Sequence, residues 1–302
     1  MSMQWVTAAC PLCRSEKKDI VFAGNIDKDD ILKLDPADYA CTSNALARYV
    51  DIVKCEDCGI VYLKYRPSEE ILTRLIGSVL DDKYLMEEKG RHKTFSRVLS
   101  DVNQLNPKKG KMLEIGSYTG VFLKMARKSG WHVLGVEPCV WAREISLKNH
   151  NLDILPSIND LDKHVSSSFD FIAMWDVIEH LVDPGDVLNK ISRLLKPGGG
   201  LGISTIMLDS IAAKLLGKRY PFLMQMHLVY FTRETLNREL NKRGFDVLRN
   251  KRHRRYVSYD YLFGKFTILN RLKKIPFLKN ILKKYYFVSS VGLRDVYSKK
   301  IK

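Results

Sequence analysis

The stretch Met112-Leu-Glu-Ile-Gly-Ser-Tyr-Thr-Gly120 constrains this chain more than any other. An apolar run ends at Gly116, and Gly120 stands where a helix would open, so a strand must turn into a helix within a few residues. Glycine belongs at both positions because the backbone has to turn tightly there and let a ligand lie against it. Around and beyond this turn, short apolar runs alternate with amphipathic helices. Residues 111–115, 132–136, 169–174 and 201–206 read as strands, and 119–129 and 141–150 as helices. Asp183-Pro184 opens a further helix with a capping aspartate and a proline in the first turn. Val187, Leu188, Ile191, Leu194 and Leu195 form its apolar face, and Pro197-Gly198-Gly199-Gly200 ends it. Thr232 caps a helix to Lys242, residues 245–248 are strand-like, and 291–298 could supply a final strand. The pattern predicts an α/β fold around a mostly parallel sheet.

Glu137 closes the second strand, about 20 residues beyond the first glycine, where a carboxylate can accept from ribose hydroxyls. A dinucleotide site would carry Gly-x-Gly-x-x-Gly so that helix amides meet a pyrophosphate. Here the glycines are Gly116 and Gly120, and Glu114 lies inside the strand two residues ahead of them. An acid in that place suits a ligand with a cationic amino-acid end. The spacing therefore points to S-adenosylmethionine over NAD.

Four segments carry a family resemblance: LEIGSYTG (113–120), GVEP (135–138), FDFIAMWDVIEHL (169–181) and LLKPGGGL (194–201). In this order they resemble the motifs of class I S-adenosylmethionine-dependent methyltransferases, particularly the small-molecule branch with the ubiquinone-biosynthesis O-methyltransferases. The resemblance covers roughly residues 111–206 and implies a Rossmann-like, mostly parallel seven-stranded sheet. It also implies that Glu114, Ile115, Gly116, Ser117, Tyr118 and Gly120 hold the methionine portion of the cofactor. Glu137 and Pro138 would take the ribose, and Trp175, Asp176 and Val177 would lie near the adenine and the methyl. Tyr118 departs from the family, which usually has a third glycine there. The usual acid near the adenine is also missing, since residues 155–159 offer only Ser157 and Asn159.

Cys10-x2-Cys13 and Cys55-x2-Cys58 are two knuckle-type pairs, each placing two thiolates on one turn, and together they predict a structural Zn2+ site. The 41 residues between them exceed the common spacing. Neither pair opens a helix in a thioredoxin-like context, which disfavours a redox role. Methyltransferases with an N-terminal zinc ribbon occur in bacterial sugar and polysaccharide biosynthesis, and the whole chain is similar to that group. Cys41 and Cys139 read as ordinary thiols. The expected organisation is a zinc-ribbon-like module at 1–64, a helical linker or cap at 65–109, and a methyltransferase core at 110–302. Ser68 caps the linker's first helix, and the loop signal Asn106-Pro107 marks the core boundary.

A hydroxyl acceptor favours a histidine base near neutral pH. His227 and His180 are the candidates: both fall where an open α/β sheet binds substrate, and His227 is favoured as base or acceptor-orienting residue. The expected reaction is O-methylation of a small-molecule, sugar or lipid-linked saccharide acceptor. An RNA methyltransferase and a non-catalytic zinc-containing binding protein are the alternatives. The net charge of +16 is concentrated at one end: residues 249–302 hold 16 Lys and Arg against two acids. A basic, apolar-interleaved segment at about 258–286 suggests a helical insertion that could contact an anionic membrane surface. Nucleic acid is weighed down by the absence of an Asn-Pro-Pro-Tyr-type tetrapeptide, Asp176-Val-Ile-Glu179 standing in its place. Without a signal-like start or an uninterrupted apolar stretch of about 18 residues, a cytoplasmic location is expected, with peripheral contact at the inner membrane face.

Overall fold

In the computed structural model the chain is described over residues 5–26, 35–161, 167–264, 282 and 285–301. Five short strands come first: β1 (Trp5–Thr7), β2 (Lys18–Phe22), β3 (Ile52–Cys55), β4 (Val61–Leu63) and β5 (Tyr65–Pro67). Three helices come next, α1 (Glu69–Gly77), α2 (Asp82–Met86) and α3 (Glu88–Leu105). Ser68 caps α1, its side chain accepting from the Ile71 amide at 3.4 Å. The alternating part then runs β6 (Lys111–Ile115), α4 (Val121–Lys128), β7 (His132–Val136), α5 (Val140–His150), β8 (Ile154–Leu155), β9 (Phe169–Trp175), α6 (Pro184–Leu194) and β10 (Leu195–Ile206). It continues with α7 (Ile211–Leu216), β11 (Val229–Tyr230), α8 (Arg233–Lys242), β12 (Phe245–Arg252), β13 (Arg255–Ser258), α9 (Tyr259–Gly264), β14 (Tyr286–Ser289) and β15 (Leu293–Lys300).

The central sheet has seven strands in the order β12-β15-β10-β9-β6-β7-β8. All are parallel except β15, which pairs antiparallel with β10 and β12. This is the Rossmann-like arrangement expected from the motifs. Strand order reverses between β6 and β9, which opens a crevice at their carboxyl ends, the place where open α/β sheets bind ligands. Central strands are buried on both faces: Leu113, Ile172 and Ile203 on one face are 0% exposed, as are Met112 and Ala173 on the other. Each of these Leu, Ile and Met side chains contributes roughly 1.5–3 kcal/mol relative to full exposure.

Some local boundaries differ from the sequence reading. The helix expected at 119–129 begins at Val121, because Gly120 adopts φ +75° as its N-cap. The glycines after Pro197 do not form a separate turn. The chain passes from Leu194 straight into β10, with an irregularity in its pairing to β9 between Leu195 and Gly200. The segment at about 258–286 begins as β13 and α9 and returns as β14; its remainder, with most of the expected basic helices, lies outside the described residues. Among the described residues no helix is long and apolar enough to cross a membrane.

A second, four-stranded sheet runs β11-β4-β3-β2. It joins strands flanking the Cys55–Cys58 turn to a strand from far along the chain, just after His227. The buried apolar residues of β3, β4 and β11 belong to the same cluster as one face of the central sheet.

Candidate active site and cysteine cluster

Gly116 ends β6 with φ +72°, and a β-carbon there would lie 3.3 Å from Val177 Cγ1 and well inside contact with Cγ2. The turn thus needs glycine for its backbone and for its closeness to the loop after β9. Glu114 is 2% exposed, and its Oε2 has no hydrogen-bond partner. Burial, with the Glu137 charge nearby, pushes its pKa well above the carboxylate range. The Oγ of Ser117 and the Oγ1 of Thr119 are likewise buried without a partner. Buried polar atoms are normally paired, so this group of orphans marks a place built for a ligand. Ile115 packs in the core and Pro138 is exposed.

Glu137 sits at the end of β7. Its Oε2 accepts from the Tyr118 amide at 2.9 Å and its Oε1 from the Cys139 amide at 2.8 Å. Burial raises its pKa to about 7 against the pull of these two bonds. Tyr118 holds φ +46° and turns its ring toward Tyr84, at 4.4 Å between centroids, and Trp141, at 5.9 Å. Its hydroxyl donates to Asp81 at 3.1 Å. The side chain at the family's glycine position is therefore anchored to the roof formed by α2 and its approach. Arg91 lies over the Tyr84 ring at 3.3 Å, and its buried Nε has no hydrogen-bond partner.

At the end of β9, Asp176 holds φ +58°. Its Oδ1 accepts from Ser204 Oγ at 2.7 Å, and its Oδ2 pairs with Arg255 of β13. Burial would raise its pKa, but the guanidinium of Arg255 and then His253 outweigh this and bring it down to about 2. Three residues on, Glu179 behaves oppositely: burial, then repulsion from Asp176, pushes it up to about 8. Trp175 does not join this group. Its ring packs against Phe122 and Tyr297, on the opposite face of β9 from Ile172 and Met174.

His180 and His227 come together with ring centroids 4.9 Å apart. The Nδ1 of His180 bonds the Met226 carbonyl at 2.7 Å, and that of His227 bonds the Phe222 carbonyl at 2.8 Å. A carbonyl can only accept, so each Nδ1 carries the hydrogen and each Nε2 is left as the basic nitrogen. Burial, then His180 nearby, lowers the His227 pKa to about 3; burial also lowers that of His180. Both rings are neutral near pH 7. Glu179, His180 and His227 each bring one ligating atom within 4.8 Å of the others, a geometry that would also accept a divalent cation.

The four cysteines of the two pairs form one cluster. Cys10 Sγ lies 3.4 Å from Cys58 Sγ, Cys13 Sγ 3.5 Å from Cys55 Sγ, and all four fall within 4.8 Å of one another. These are not disulfide distances, which are near 2.05 Å. A tetrahedral zinc with bonds of about 2.3 Å sets its sulfurs about 3.8 Å apart, so the donor set and spacing fit that ion.

Sequence reasoning missed Asp81, Tyr84, Arg91 and Arg255. Arg91 lies in α3 and Arg255 in a strand where sequence alone registered only positive charge; the fold brings both to the crevice.

Among known proteins, the chain is 30% identical over 102 residues to a ubiquinone biosynthesis O-methyltransferase of Nitrobacter winogradskyi, a match covering 32% of this chain and 38% of that protein. It is 28% identical over 123 residues to the protein of that name from Aeromonas salmonicida, covering 38% and 51%. The chain thus spans about two-fifths to half the length of these relatives. A solved Thermotoga maritima structure, described as a SAM-dependent methyltransferase and possible histamine N-methyltransferase, superposes with a TM-score of 0.50 at 22% identity, covering 76% of this chain and 99% of that one. A SAM-dependent methyltransferase from Archaeoglobus fulgidus gives 0.51 at 17% identity, covering 73% and 100%. Both support the fold. Residues 88–250, more than half of the chain, match the family described as methyltransferase domain, and the chain belongs to that family.

Proposed function

We propose that the chain is an S-adenosylmethionine-dependent methyltransferase acting on a hydroxyl of a small-molecule, sugar or lipid-linked saccharide acceptor. The observation that carries this reading is the cradle at the carboxyl ends of β6 and β7: an unpartnered buried carboxylate on Glu114, the positive-φ turn at Gly116, and Glu137 one strand away. Glu114 suits the methionine ammonium, and Arg91, with its free Nε, suits the carboxylate. Glu137 keeps a lone pair on each oxygen after its two backbone bonds and suits the ribose hydroxyls. When bound, the cofactor supplies an electrophilic methyl on a sulfonium.

The chain's own residues then do the positioning. His227 presents Nε2 to the acceptor hydroxyl and accepts its hydrogen, while His180 packs beside it and fixes its orientation. Asp176, paired with Arg255, keeps one negative charge at the end of β9 close to where the methyl would lie. The four thiolates hold a structural zinc. On the described surface, Ile211 and Leu215 are 69% and 81% exposed beside the exposed Lys214, Lys218 and Arg219, an apolar and basic face that suits a lipid-borne acceptor at an anionic membrane.

Calorimetry with S-adenosylhomocysteine tests the donor site: one-to-one binding is expected, weakened about tenfold or more in Glu114→Gln or Glu137→Ala. An absence of binding refutes the cofactor assignment. Transfer of labelled methyl into an acceptor fraction of cell extract tests His227. His227→Ala should abolish transfer while keeping S-adenosylhomocysteine affinity, and near-normal turnover would remove His227 from the mechanism.

A further inference from the structure

The strand that comes after His227 belongs to the cysteine module's sheet. β11 pairs antiparallel with β4, Val229 opposite Tyr62 and Tyr230 opposite Val61, and β4 starts three residues after Cys58. The Leu63 amide donates to the Leu228 carbonyl at 3.0 Å, and the Leu228 amide donates to the Glu179 carbonyl at 2.7 Å. One residue, Leu228, adjoining His227, therefore bridges the module to the turn carrying Glu179 and His180.

The other side of the His227 loop is tied to the same module. The loop's Pro221 carbonyl accepts from Ala47 at 3.1 Å and its Gln225 amide donates to Arg48 at 3.0 Å. The Tyr49 hydroxyl donates to Lys218 O at 2.9 Å. Residues 47–49 lie between the two cysteine pairs, so the long spacer that weakened the ribbon pattern in sequence is the part that grips this loop. Arg238 of α8 donates to the Cys58 carbonyl, closing the clasp from the far side.

A strand of two residues has no stability of its own and takes its position from its partner. Here the partner is β4, which leaves the knuckle in which Gly59, at φ +70°, donates to Cys55 O at 2.9 Å and Cys55 donates to Ile60 O at 2.8 Å. Four thiolates crowded together hold their places through the ion they bind, and the free energy of binding becomes free energy of folding. We infer that the Cys55–Cys58 knuckle is a positioning element for the His180–His227 pair: metal occupancy sets the acceptor side of the crevice through β4 and Leu228. Glu114 lies on β6, and Gly116 and Glu137 directly follow β6 and β7, whose ladder bonds run to each other and to β9 and β8 instead. The knuckle's own strand pairing thus reaches the acceptor side, whereas the spacer meets the donor side separately, through Thr42 on the Asp81 carboxylate that the Tyr118 hydroxyl also contacts. The inference rests on the proposed role of His227 for its catalytic meaning, but its mechanical content does not.

The full chain is prepared with zinc, then stripped under reducing conditions and reloaded, with zinc content measured at each stage. Hydrogen exchange read by mass spectrometry should show amides at 222–231 exchanging about tenfold faster or more on stripping, those at 111–116 unchanged, and recovery on reloading. The imidazole C–H signals of His180 and His227 should shift in parallel, while S-adenosylhomocysteine affinity stays within about threefold. Arg238→Met, which leaves every thiolate in place, should retain zinc and reproduce part of the exchange change. Unchanged protection at 222–231, or its loss together with the 111–116 strand and cofactor affinity, overturns the inference. If the exchange pattern holds but His227→Ala turns over normally, the mechanical link stands and the catalytic reading of His227 fails.

Discussion

Replacing Gly116 by alanine puts two separable costs on one position. An L-residue at φ +72° costs roughly 1–2 kcal/mol of backbone strain. The new methyl also meets the methyls of Val177, and forcing a group into filled space costs about 1–3 kcal/mol. The sum is about 2–5 kcal/mol, measured as a lowered urea midpoint by circular dichroism. The clash is with a side chain, so it can be removed while the strain remains. Val177→Ala alone should cost about 1–2 kcal/mol for its partly buried methyls. Gly116→Ala with Val177→Ala should then cost less than the two singles together by about 1–3 kcal/mol, the part due to the clash. Additivity within about 0.5 kcal/mol would refute the packing argument and leave only backbone strain. S-adenosylhomocysteine affinity should stay reduced in the double variant, because the strained turn still displaces the Ser117 and Thr119 hydroxyls.

The donor side yields two further outcomes. Because the Glu137 pKa rises from 4.5 in the unfolded chain to about 7 in the fold, the folded protein binds that proton more tightly and its benefit is lost as pH rises from 4.5 through 7. At one pKa unit per 1.36 kcal/mol, Glu137→Gln should therefore gain about 3 kcal/mol on the wild type between pH 4 and pH 8, read from urea unfolding of the ligand-free protein; an unchanged difference refutes it. Arg91→Met should replace the cation over Tyr84 with an apolar contact and weaken S-adenosylhomocysteine binding about tenfold, whereas decarboxylated analogues should bind both proteins alike. Equal weakening for both ligands would place Arg91 outside the carboxylate site.

The candidate donor cradle could be proposed from sequence because it is local: Glu114, Gly116 and Glu137 fall on or directly after two consecutive strands, each within a few residues of the pattern that points to it. The roof could not. Asp81, Tyr84 and Arg91 precede the motif, Arg255 lies beyond the last sheet helix, and only the order of strands brings them to one crevice. Trp175 shows a different limit. Residues 169–175 are apolar almost without interruption, so period-two alternation cannot say which side chains face the crevice. In the fold Phe171, Ala173 and Trp175 share one face and Ile172 and Met174 the other, which sets the indole against Phe122 and Tyr297. The two cysteine pairs could be read as one cluster, but their 41-residue separation gave no sign that the spacer would reach across to the His227 loop.

The titration pattern of the acceptor side bears on where the acceptor's proton goes. Asp176 stays ionised because Arg255 answers its charge, while Glu179, three residues on, is held protonated near pH 7 by burial and by Asp176 itself. Glu179 is therefore no base in the resting site. His227 has a free Nε2, but burial keeps its ring neutral and weakly basic. That balance shifts during transfer. In the proposed reaction a bound cofactor would supply the methyl and a positive charge beside His227, and Asp176, held ionised by Arg255, would offset a second positive charge on that ring. On the proposed reading His227 would be protonated more readily as that positive charge is lost, so its interaction with the acceptor hydrogen would be stronger in the transition state than before it. That is the condition for accelerating the step rather than only binding its reactants. Arg255 would carry a cost as well as a use in such a reaction: it keeps Asp176 ionised and so from taking the proton, and it also opposes a positive charge on His227.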